Sequence, residues 1–203
     1  MKVLSFVLAS LFSLQVIAAD PPTTTATDNH ATTGAATNNT DWMKYSTPTD
    51  GHKVLSDLAG TFKYTAKFWM APNTKEETTT GTSTNKWTLG GRFLQQDVKG
   101  KAMGQPFNGM SLVGYDSLRE QYQSIWVDTM STHMMTGTGT FDTATRTLTE
   151  TGEFSCAMTK DKSRWFRTEM KINDKKSHTY AMFNKDTEGK EFKSMEISYT
   201  RTK

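Results

Sequence analysis

The middle of the chain, residues 90–128, alternates short apolar runs with turn sequences, and this pattern limits the possible folds more than any other feature. Leu94 and Val98 lie on one face of an extended run, because side chains return to the same side at every second position. Gly90-Gly91 and Lys99-Gly100 supply turn residues between the runs. Turns this short leave no room for helical crossovers, so we predict antiparallel strands.

The same alternation continues on both sides of this stretch. Upstream it predicts a strand at residues 61–70, in which the apolar positions are Phe62, Tyr64, Ala66, Phe68 and Met70. A Thr-rich strand follows at residues 77–89, and five more are predicted at residues 133–141, 146–158, 164–172, 178–184 and 192–202. We therefore predict an all-β fold, an antiparallel up-and-down barrel of about ten strands, whose closure removes exposed strand edges. A β-sandwich of the same strands is the alternative.

One short helix is predicted before the first strand. Thr47 is suited to the cap and Pro48 to the first helical position. Leu55 and Leu58 give the helix a narrow apolar side, and Gly60 ends it. A helix with so little apolar surface cannot build a bundle, so we expect it to cover one end of the barrel.

The N-terminus has the pattern of an export signal. Lys2 precedes an apolar run that closes with Ala18-Ala19, which predicts a signal peptide at residues 1–19 and a periplasmic or secreted protein. Residues 20–40 contain no aromatic residue and no aliphatic side chain larger than Ala, so we expect a disordered Thr-rich spacer that extends to residue 46. The remaining residues, 47–203, are predicted to form a single β-barrel domain.

Composition excludes several classes of partner. The chain carries 24 basic and 21 acidic residues with both signs interspersed, for a net charge of +3. It therefore lacks the basic stripe that binds nucleic acid and the basic amphipathic helix that binds membranes. The long apolar run at the N-terminus contains Ser and Gln and is a poor membrane anchor, so we predict no membrane span.

Cys156 is the only cysteine, so a domain exported with this sequence cannot close an internal disulfide. By strand alternation it shares a face with Leu148, Phe154 and Met158. We therefore predict a buried, unreactive thiol. Stability must then come from a core that a chain of this length can bury.

Five short motifs together resemble a known family. They are Gly60-Thr61-Phe62, the LGGRFL run at residues 89–94, Gly114-Tyr115-Asp116, Trp126-Val127-Asp128 and the EISYTR run at residues 196–201. In their order and spacing, from about His52 to Arg201, they look like the bacterial family catalogued as domain of unknown function 1579. The resemblance implies a lipocalin-like (calycin) β-barrel of uncharacterised function, and it brings no catalytic residues.

The last predicted strand provides the main candidates for a ligand site. Met195, Ile197, Tyr199 and Arg201 share one face, so an inward apolar pair carries Tyr199 and Arg201 inward with it. The guanidinium of an inward Arg suits the carboxylate of an anionic ligand. The alternative is a bracing pair at the barrel rim, with loop carbonyls or an acidic side chain such as Glu150 as the partner.

Three further residues complete the candidate set. Arg92 shares the predicted inward face of its strand, and an ion pair with Asp116 or Asp128 is the alternative. Tyr115 and Trp126 come from the motifs that carry the family resemblance. The predicted ligand-binding residues are therefore Arg92, Tyr115, Trp126, Tyr199 and Arg201.

Soft metal-binding side chains are densest between Met130 and Met135. Strand alternation places His133 and Met135 on one face and Met134 on the other, which separates them, so we predict a Met-lined cavity, no metal and no cofactor. A haem-binding barrel with one axial His is the remaining alternative. No local motif joins a nucleophile to a His and an acid, so we expect no catalytic residue and a binding protein rather than an enzyme.

These patterns predict an exported barrel that binds a small hydrophobic, amphiphilic or anionic ligand in its interior. One alternative is a structural or interaction protein with a filled barrel, whose surface or Thr-rich arm makes the contacts. The second alternative is an enzyme that uses polar groups inside the barrel.

Overall fold

The computed structural model describes residues 39–202, and the chain there forms ten strands preceded by short helices, as the alternation predicts. The helices are α1 (Asn39–Ser46), α2 (Asp50–Lys53) and a 3₁₀ helix (Val54–Leu58). The strands are β1 (Gly60–Phe68), β2 (Glu77–Thr88), β3 (Phe93–Ala102), β4 (Gln105–Asp116), β5 (Gln121–Asp128), β6 (Met135–Asp142), β7 (Thr147–Cys156), β8 (Asp161–Ile172), β9 (Ser177–Lys185) and β10 (Glu191–Arg201). The predicted signal peptide and the predicted spacer up to residue 38 lie outside the described residues.

All ten strands form one closed antiparallel barrel. Each strand pairs with its neighbours in the sequence, and β1 closes the barrel by pairing with β10. In that closing pair Phe62 lies opposite Arg201, and Tyr64 lies opposite Tyr199. Because directly opposite residues of an antiparallel pair point to the same face, the inward face of β10 follows from that of β1. The predicted barrel is therefore confirmed, and the β-sandwich alternative is wrong.

Helix α2 and the 3₁₀ helix cover one end of the barrel. Leu55 is 1% exposed and Leu58 is 4% exposed. Both pack into a buried cluster with side chains from four strands, namely Leu94, Tyr122, Leu148 and Ile172. Burying a Leu side chain stabilises a fold by about 2 kcal/mol, so this packing fixes the helices on the barrel. We call this the helix end of the barrel, and we call the opposite end, where β1 turns into β2, the open end.

The helices begin and end at residues other than those predicted. Thr49, rather than Thr47, precedes α2, and its backbone N–H donates to Nδ1 of His52 at 3.0 Å. The Thr47 hydroxyl instead donates to the Met43 carbonyl at 2.7 Å, at the C-terminal end of α1. Helix α1 occupies residues 39–46, which are the last part of the predicted disordered spacer. No helix within the described part of the chain is long and apolar enough to cross a membrane.

A chain of buried polar side chains ties the helix end to the barrel wall. Nε2 of Gln96 donates to Oγ of Ser83 at 2.9 Å, and that hydroxyl donates to Oδ1 of Asn85 at 2.6 Å. Nδ2 of Asn85 then donates to the carbonyl of Leu58, the last residue of the 3₁₀ helix, at 2.7 Å. Ser83 and Asn85 are buried but paired, which avoids the cost of about 1–3 kcal/mol for an unpaired buried polar group.

Candidate ligand site inside the barrel

The barrel interior is packed at the helix end and accessible at the open end. Along β1 the inward side chains of Phe62 and Tyr64 are buried, whereas Phe68, near the open end, is half-buried. The inward face of β7 shows the same change, from buried Leu148 to half-buried Phe154. Solvent therefore reaches the inward side chains near the rim of the open end.

Apolar and aromatic side chains line this accessible region, which we call the open half of the interior. Its half-buried apolar inward side chains are Phe68, Phe107, Trp126, Met135, Phe154 and Met195, and Arg164, opposite Phe154, is a half-buried cation on the same face. The rings of Trp126 and Phe107 stack with centroids 6.3 Å apart. The indole N–H of Trp126 donates to Asp128 at 2.7 Å. Because the polar atom of the indole already has a partner, its ring presents an apolar wall to the interior.

Exposed methionines surround the mouth of the open half. Five of them lie in the loops at the open end, and each is at least 49% exposed: Met70, Met103, Met130, Met134 and Met158. The thioether side chain is flexible and apolar, so a rim of this kind adapts to entering molecules of different shapes.

Glu150 on β7 lies at the floor of the open half. The residue is 8% exposed, and burial raises the pKa of its carboxyl, an effect that a hydrogen bond from Ser124 partly offsets. Ser124, Glu150 and Phe166 converge beside Gly137, each within 3.5 Å of the position that a Cβ would take there. Among the residues that the structure describes, none is a hydrogen-bond partner for the buried Oε1 atom of Glu150. An unpaired buried carboxyl oxygen is costly, so it marks a candidate binding site.

Two phenols lie near the floor, Tyr180 beside Glu150 and Tyr199 in the packed aromatic layer below. Burial raises the pKa of Tyr180, and the nearby Glu150 carboxyl raises it further. A hydrogen bond with Thr168 lowers the pKa by a smaller amount. Burial also raises the pKa of Tyr199, with a smaller contribution from Tyr64. These phenols stay protonated at neutral pH, so they add no charge to the interior.

Arg201 points inward at the helix end, where its guanidinium is already bound. Nη1 donates to the Ala59 carbonyl at 2.7 Å, and Nη2 donates to the Asp57 carbonyl at 2.8 Å. Nε donates to the Lys175 carbonyl, in the loop between β8 and β9, at 2.5 Å. Of the two partners considered for a bracing Arg201, loop carbonyls or Glu150, the structure shows the carbonyls, because the Glu150 carboxyl lies at the floor of the open half while Arg201 lies at the helix end. Arg201 has the bracing role that was the alternative.

His178 on β9 lies in a packed aromatic layer at the helix end, below the floor of the open half. Its ring stacks on Tyr199 with centroids 4.2 Å apart and meets the ring of Phe62 at 4.6 Å, close to perpendicular. Burial lowers the pKa of the imidazole to about 4, and the positive charge of Arg201 contributes. The residue is 1% exposed and neutral at physiological pH. Its Nε2 atom has no hydrogen-bond partner among the described residues, but the rings of Phe62 and Tyr199 enclose it away from the open half, so we assign it to packing rather than to ligand binding.

Two other predicted ligand-binding residues lie away from the open half. Arg92 precedes β3 and is exposed. The two glycines before it have positive φ angles of 68° and 82° and form a turn, so the turn rather than the strand sets the direction of the Arg92 side chain. Its guanidinium donates to the carbonyls of Ser46 and Leu89, so its predicted inward position is wrong. Tyr115 packs at the helix end, with its ring centroid 5.0 Å from that of Tyr122.

Of the five predicted ligand-binding residues, Trp126 lines the open half, and Tyr199 lies deeper in the interior. That either residue binds a ligand stays a prediction. Strand alternation places Glu150 on the face of Leu148 and Phe154, but the sequence alone suggests for it only the role of a partner for Arg201. The signal for a different role was present, as a single acidic residue on an otherwise uncharged inward face of β7.

Cys156 differs from the buried, unreactive thiol that was predicted. A β-bulge between Phe154 and Cys156 shifts the register at the end of β7, and the side chain is half-buried. Partial burial raises the pKa of the thiol, but hydrogen bonds from Thr159 and Met158 and the positive charge of Arg164 outweigh it, so the net shift of the pKa is downward. The thiol is therefore both accessible and more easily ionised than a free cysteine.

Comparison with known proteins identifies the family. The family model described as Protein of unknown function (DUF1579) matches residues 47–201. The chain belongs to the DUF1579 family. The match covers the complete barrel and the helices α2 and 3₁₀ before it, so the resemblance read from the short motifs is confirmed. The description of DUF1579 names no activity.

Solved structures support the fold of this DUF1579 protein and nothing beyond it. The crystal structure of Rv2717c from M. tuberculosis is similar with a TM-score of 0.58 and 11% identity, over 77% of this chain and 100% of that chain. A redesigned β-barrel is similar over 74% of this chain and 96% of its own at 11% identity, with a TM-score of 0.37 that is too low to support an argument. No curated protein matches the sequence.

Proposed function

We propose that this DUF1579 protein binds a small, largely apolar molecule in the open half of its barrel, with a hydrogen-bond donor of the ligand directed at Glu150. The observation that carries the proposal is the buried, unpaired Oε1 atom of Glu150 at the floor of an accessible apolar region. Ligand pockets in proteins commonly combine apolar walls with a few polar groups that fix the orientation of the ligand. Trp126 and Phe107 supply such a wall.

The floor favours a neutral donor over an anion as the polar end of the ligand. Glu150 offers an acceptor oxygen, and burial already disfavours the negative charge of its carboxyl. A ligand carboxylate beside it would meet the same cost of burying a charge away from water. Arg201, the cation expected to hold an anion, donates to three backbone carbonyls at the helix end. A phenol, an alcohol or an amide N–H fits this floor.

The filled-barrel alternative fits only the helix end. There Phe62, His178 and Tyr199 pack ring against ring and are almost completely buried. At the open end Trp126 and Phe154 remain half-buried on the inner wall. The two halves therefore support different roles, with stability at the helix end and binding at the open end.

We also infer that the protein meets its ligand outside the cytoplasm, because Lys2 and the apolar run that follows it have the pattern of an export signal. N-terminal sequencing of the protein recovered from its host tests this inference. A mature chain that begins at residue 19 or 20 supports export. A chain that retains Met1 contradicts it.

Three probes of similar shape test the polar part of the proposal: 1-naphthol has one O–H donor, 1-methylnaphthalene has none, and 1-naphthoate is an anion. Titrations followed by amide chemical shifts in NMR spectra should rank their affinities in that order. A hydrogen bond to a buried carboxyl contributes about 1.5 kcal/mol, so we expect naphthol to bind roughly tenfold more tightly than methylnaphthalene.

Substitution of the carboxyl separates its contribution from that of the apolar wall. Glu150→Met should remove the advantage of naphthol and leave methylnaphthalene binding unchanged. Glu153→Met is the matched control, because Glu153 is exposed on the outer face of the same strand and should not affect the ranking. Thermal melts of both variants check that they fold. The proposal is wrong if none of the three probes binds, or if the folded Glu150→Met variant still prefers naphthol.

A further inference from the structure

A surface pocket at the open end brings together three side chains of the kinds that bind soft metal ions. The pocket has a volume of about 480 Å³ and lies between the loop that joins β5 to β6 and the end of β7. Met130 and His133 line it from the loop, and Cys156 lines it from the strand. The three side chains thus supply a thioether, an imidazole and a thiol to one pocket.

Strand alternation predicts that these residues lie on different faces, whereas the folded chain brings them to one pocket. The local backbone explains the difference. Residues 129–134 form a loop before β6, which begins at Met135, so the two-residue period of a strand does not apply to them. The bulge after Phe154 changes the register of Cys156. The ring of His133 packs beside that of Phe154, with centroids 5.6 Å apart, which holds the imidazole next to the strand that carries Cys156.

We propose that Met130, His133 and Cys156 form a binding site for Cu(I). Thiolate and thioether sulfurs are the ligands that this soft, monovalent ion prefers, and an imidazole nitrogen completes a set of three. When the ion binds, the thiol proton leaves to solvent and the sulfur donates an electron pair to the metal. The metal does not change its oxidation state in this step.

The other groups in the pocket disfavour harder ions. Lys160 and Lys162 line it together with one acidic residue, Asp161, so the surroundings do not attract a divalent cation. A thiolate bound to Cu(I) is neutral as a pair and adds no charge to these lysines. Ca²⁺ and Mg²⁺ require several oxygen ligands, chiefly carboxylates. Within residues 39–202 no group of three His, Cys, Asp or Glu side chains could hold a metal ion, so a metal site in this pocket depends on the thioether of Met130 as its third ligand.

Competition with a coloured chelator tests the site. The reduced protein is titrated without oxygen into the Cu(I) complex of bicinchoninate, and we expect one equivalent of protein to remove one equivalent of Cu(I). Cys156→Ser should lose this ability. Met130→Leu and His133→Gln should each weaken Cu(I) binding by roughly tenfold or more. Loss of a residue that only supports a metal ligand already costs about tenfold in affinity, and these two residues are proposed to contact the metal directly.

Met103→Leu is the matched control, because Met103 is an exposed open-end methionine that does not line the pocket. This variant should compete as well as the wild type does. The proposal fails if the wild type leaves the chelator complex intact. It also fails if Met130→Leu and His133→Gln both compete like the wild type, since the thiol would then bind the metal alone. Thermal melts without copper check that every variant is folded.

Discussion

Arg201→Gln should lower the melting temperature by roughly 6–12 °C, because the guanidinium braces the helix end of the barrel. In the native protein it donates to the carbonyls of Asp57, Ala59 and Lys175, which joins the end of the 3₁₀ helix to the loop between β8 and β9. Hydrogen bonds from a charged donor contribute about 1.5–3 kcal/mol each, and the shorter Gln side chain cannot replace all three. We expect a net loss of about 3 kcal/mol in the free energy of unfolding.

Arg92→Gln is the matched control for this effect. The guanidinium of Arg92 also donates to two backbone carbonyls, but the side chain is exposed, so the expected loss is about 1 kcal/mol or less. The surroundings of Arg201 differ from those of Arg92. Gly60, whose φ angle is 132°, has no side chain, and the guanidinium of Arg201 fills the space that a Cβ would take. The guanidinium also lies 4.6 Å from the centroid of the Phe62 ring. Equal losses for the two Arg variants would contradict the bracing role of Arg201.

Stability should fall as the pH drops from 6.5 to 4, and His178 should account for about 3 kcal/mol of this fall. In the folded protein, burial and the charge of Arg201 lower the pKa of the imidazole from 6.5 to about 4. Between these values the unfolded chain binds a proton that the folded chain excludes, so acid favours unfolding. The loss is about 1.4 kcal/mol for each pH unit of this window and is complete near the lower pKa.

Chemical denaturation of the wild type and of His178→Phe between pH 4 and 7 measures this contribution. The Phe ring can keep the stacking on Tyr199 but cannot bind a proton. Glu150 acts with the opposite sign, because its raised pKa gives stability that is lost as the pH rises above 4.5. Both proteins contain Glu150, so its effect cancels when the two stability curves are subtracted. Parallel curves over this pH range would show that His178 is not the group responsible.

Strand alternation predicted most of this barrel, because the two-residue period fixes the direction of side chains inside long strands. Tyr199 was predicted to share an inward face with Met195 and Ile197. It is 6% exposed and lies opposite Tyr64 in the pair that closes the barrel. If a residue near the middle of a strand pointed to the other face, its neighbours in the strand would also have to shift their pairing with the adjacent strands.

The same rule failed where strands end. Arg92 precedes β3 and follows a turn with positive φ angles, so its direction is set by the turn. Cys156 follows a β-bulge, which cancels the register counted from the start of β7. Helix α1 forms in the last part of the predicted spacer. The sequence there is no longer Thr-rich and contains Trp42 and Tyr45. A bulge or a turn of this kind leaves only a weak trace in a single sequence.

Distances across the barrel could not be predicted from periodicity either. Alternation places both Glu150 and Arg201 on the inner wall, which made them natural partners. Their separation depends on the register of the strands between β7 and β10, which sets the height of each residue in the barrel. That register puts Arg201 among the carbonyls of the helix end and leaves Glu150 below an accessible apolar wall, so the two groups acquire separate roles.

The proposed binding mode is tested most directly by a crystal structure of the protein with 1-naphthol. We expect the naphthalene ring in the open half, against Trp126, with its hydroxyl oxygen about 2.5–3.0 Å from Oε1 of Glu150. An open half filled by the protein's own side chains, with the naphthol bound elsewhere on the surface, would contradict a ligand site inside the barrel.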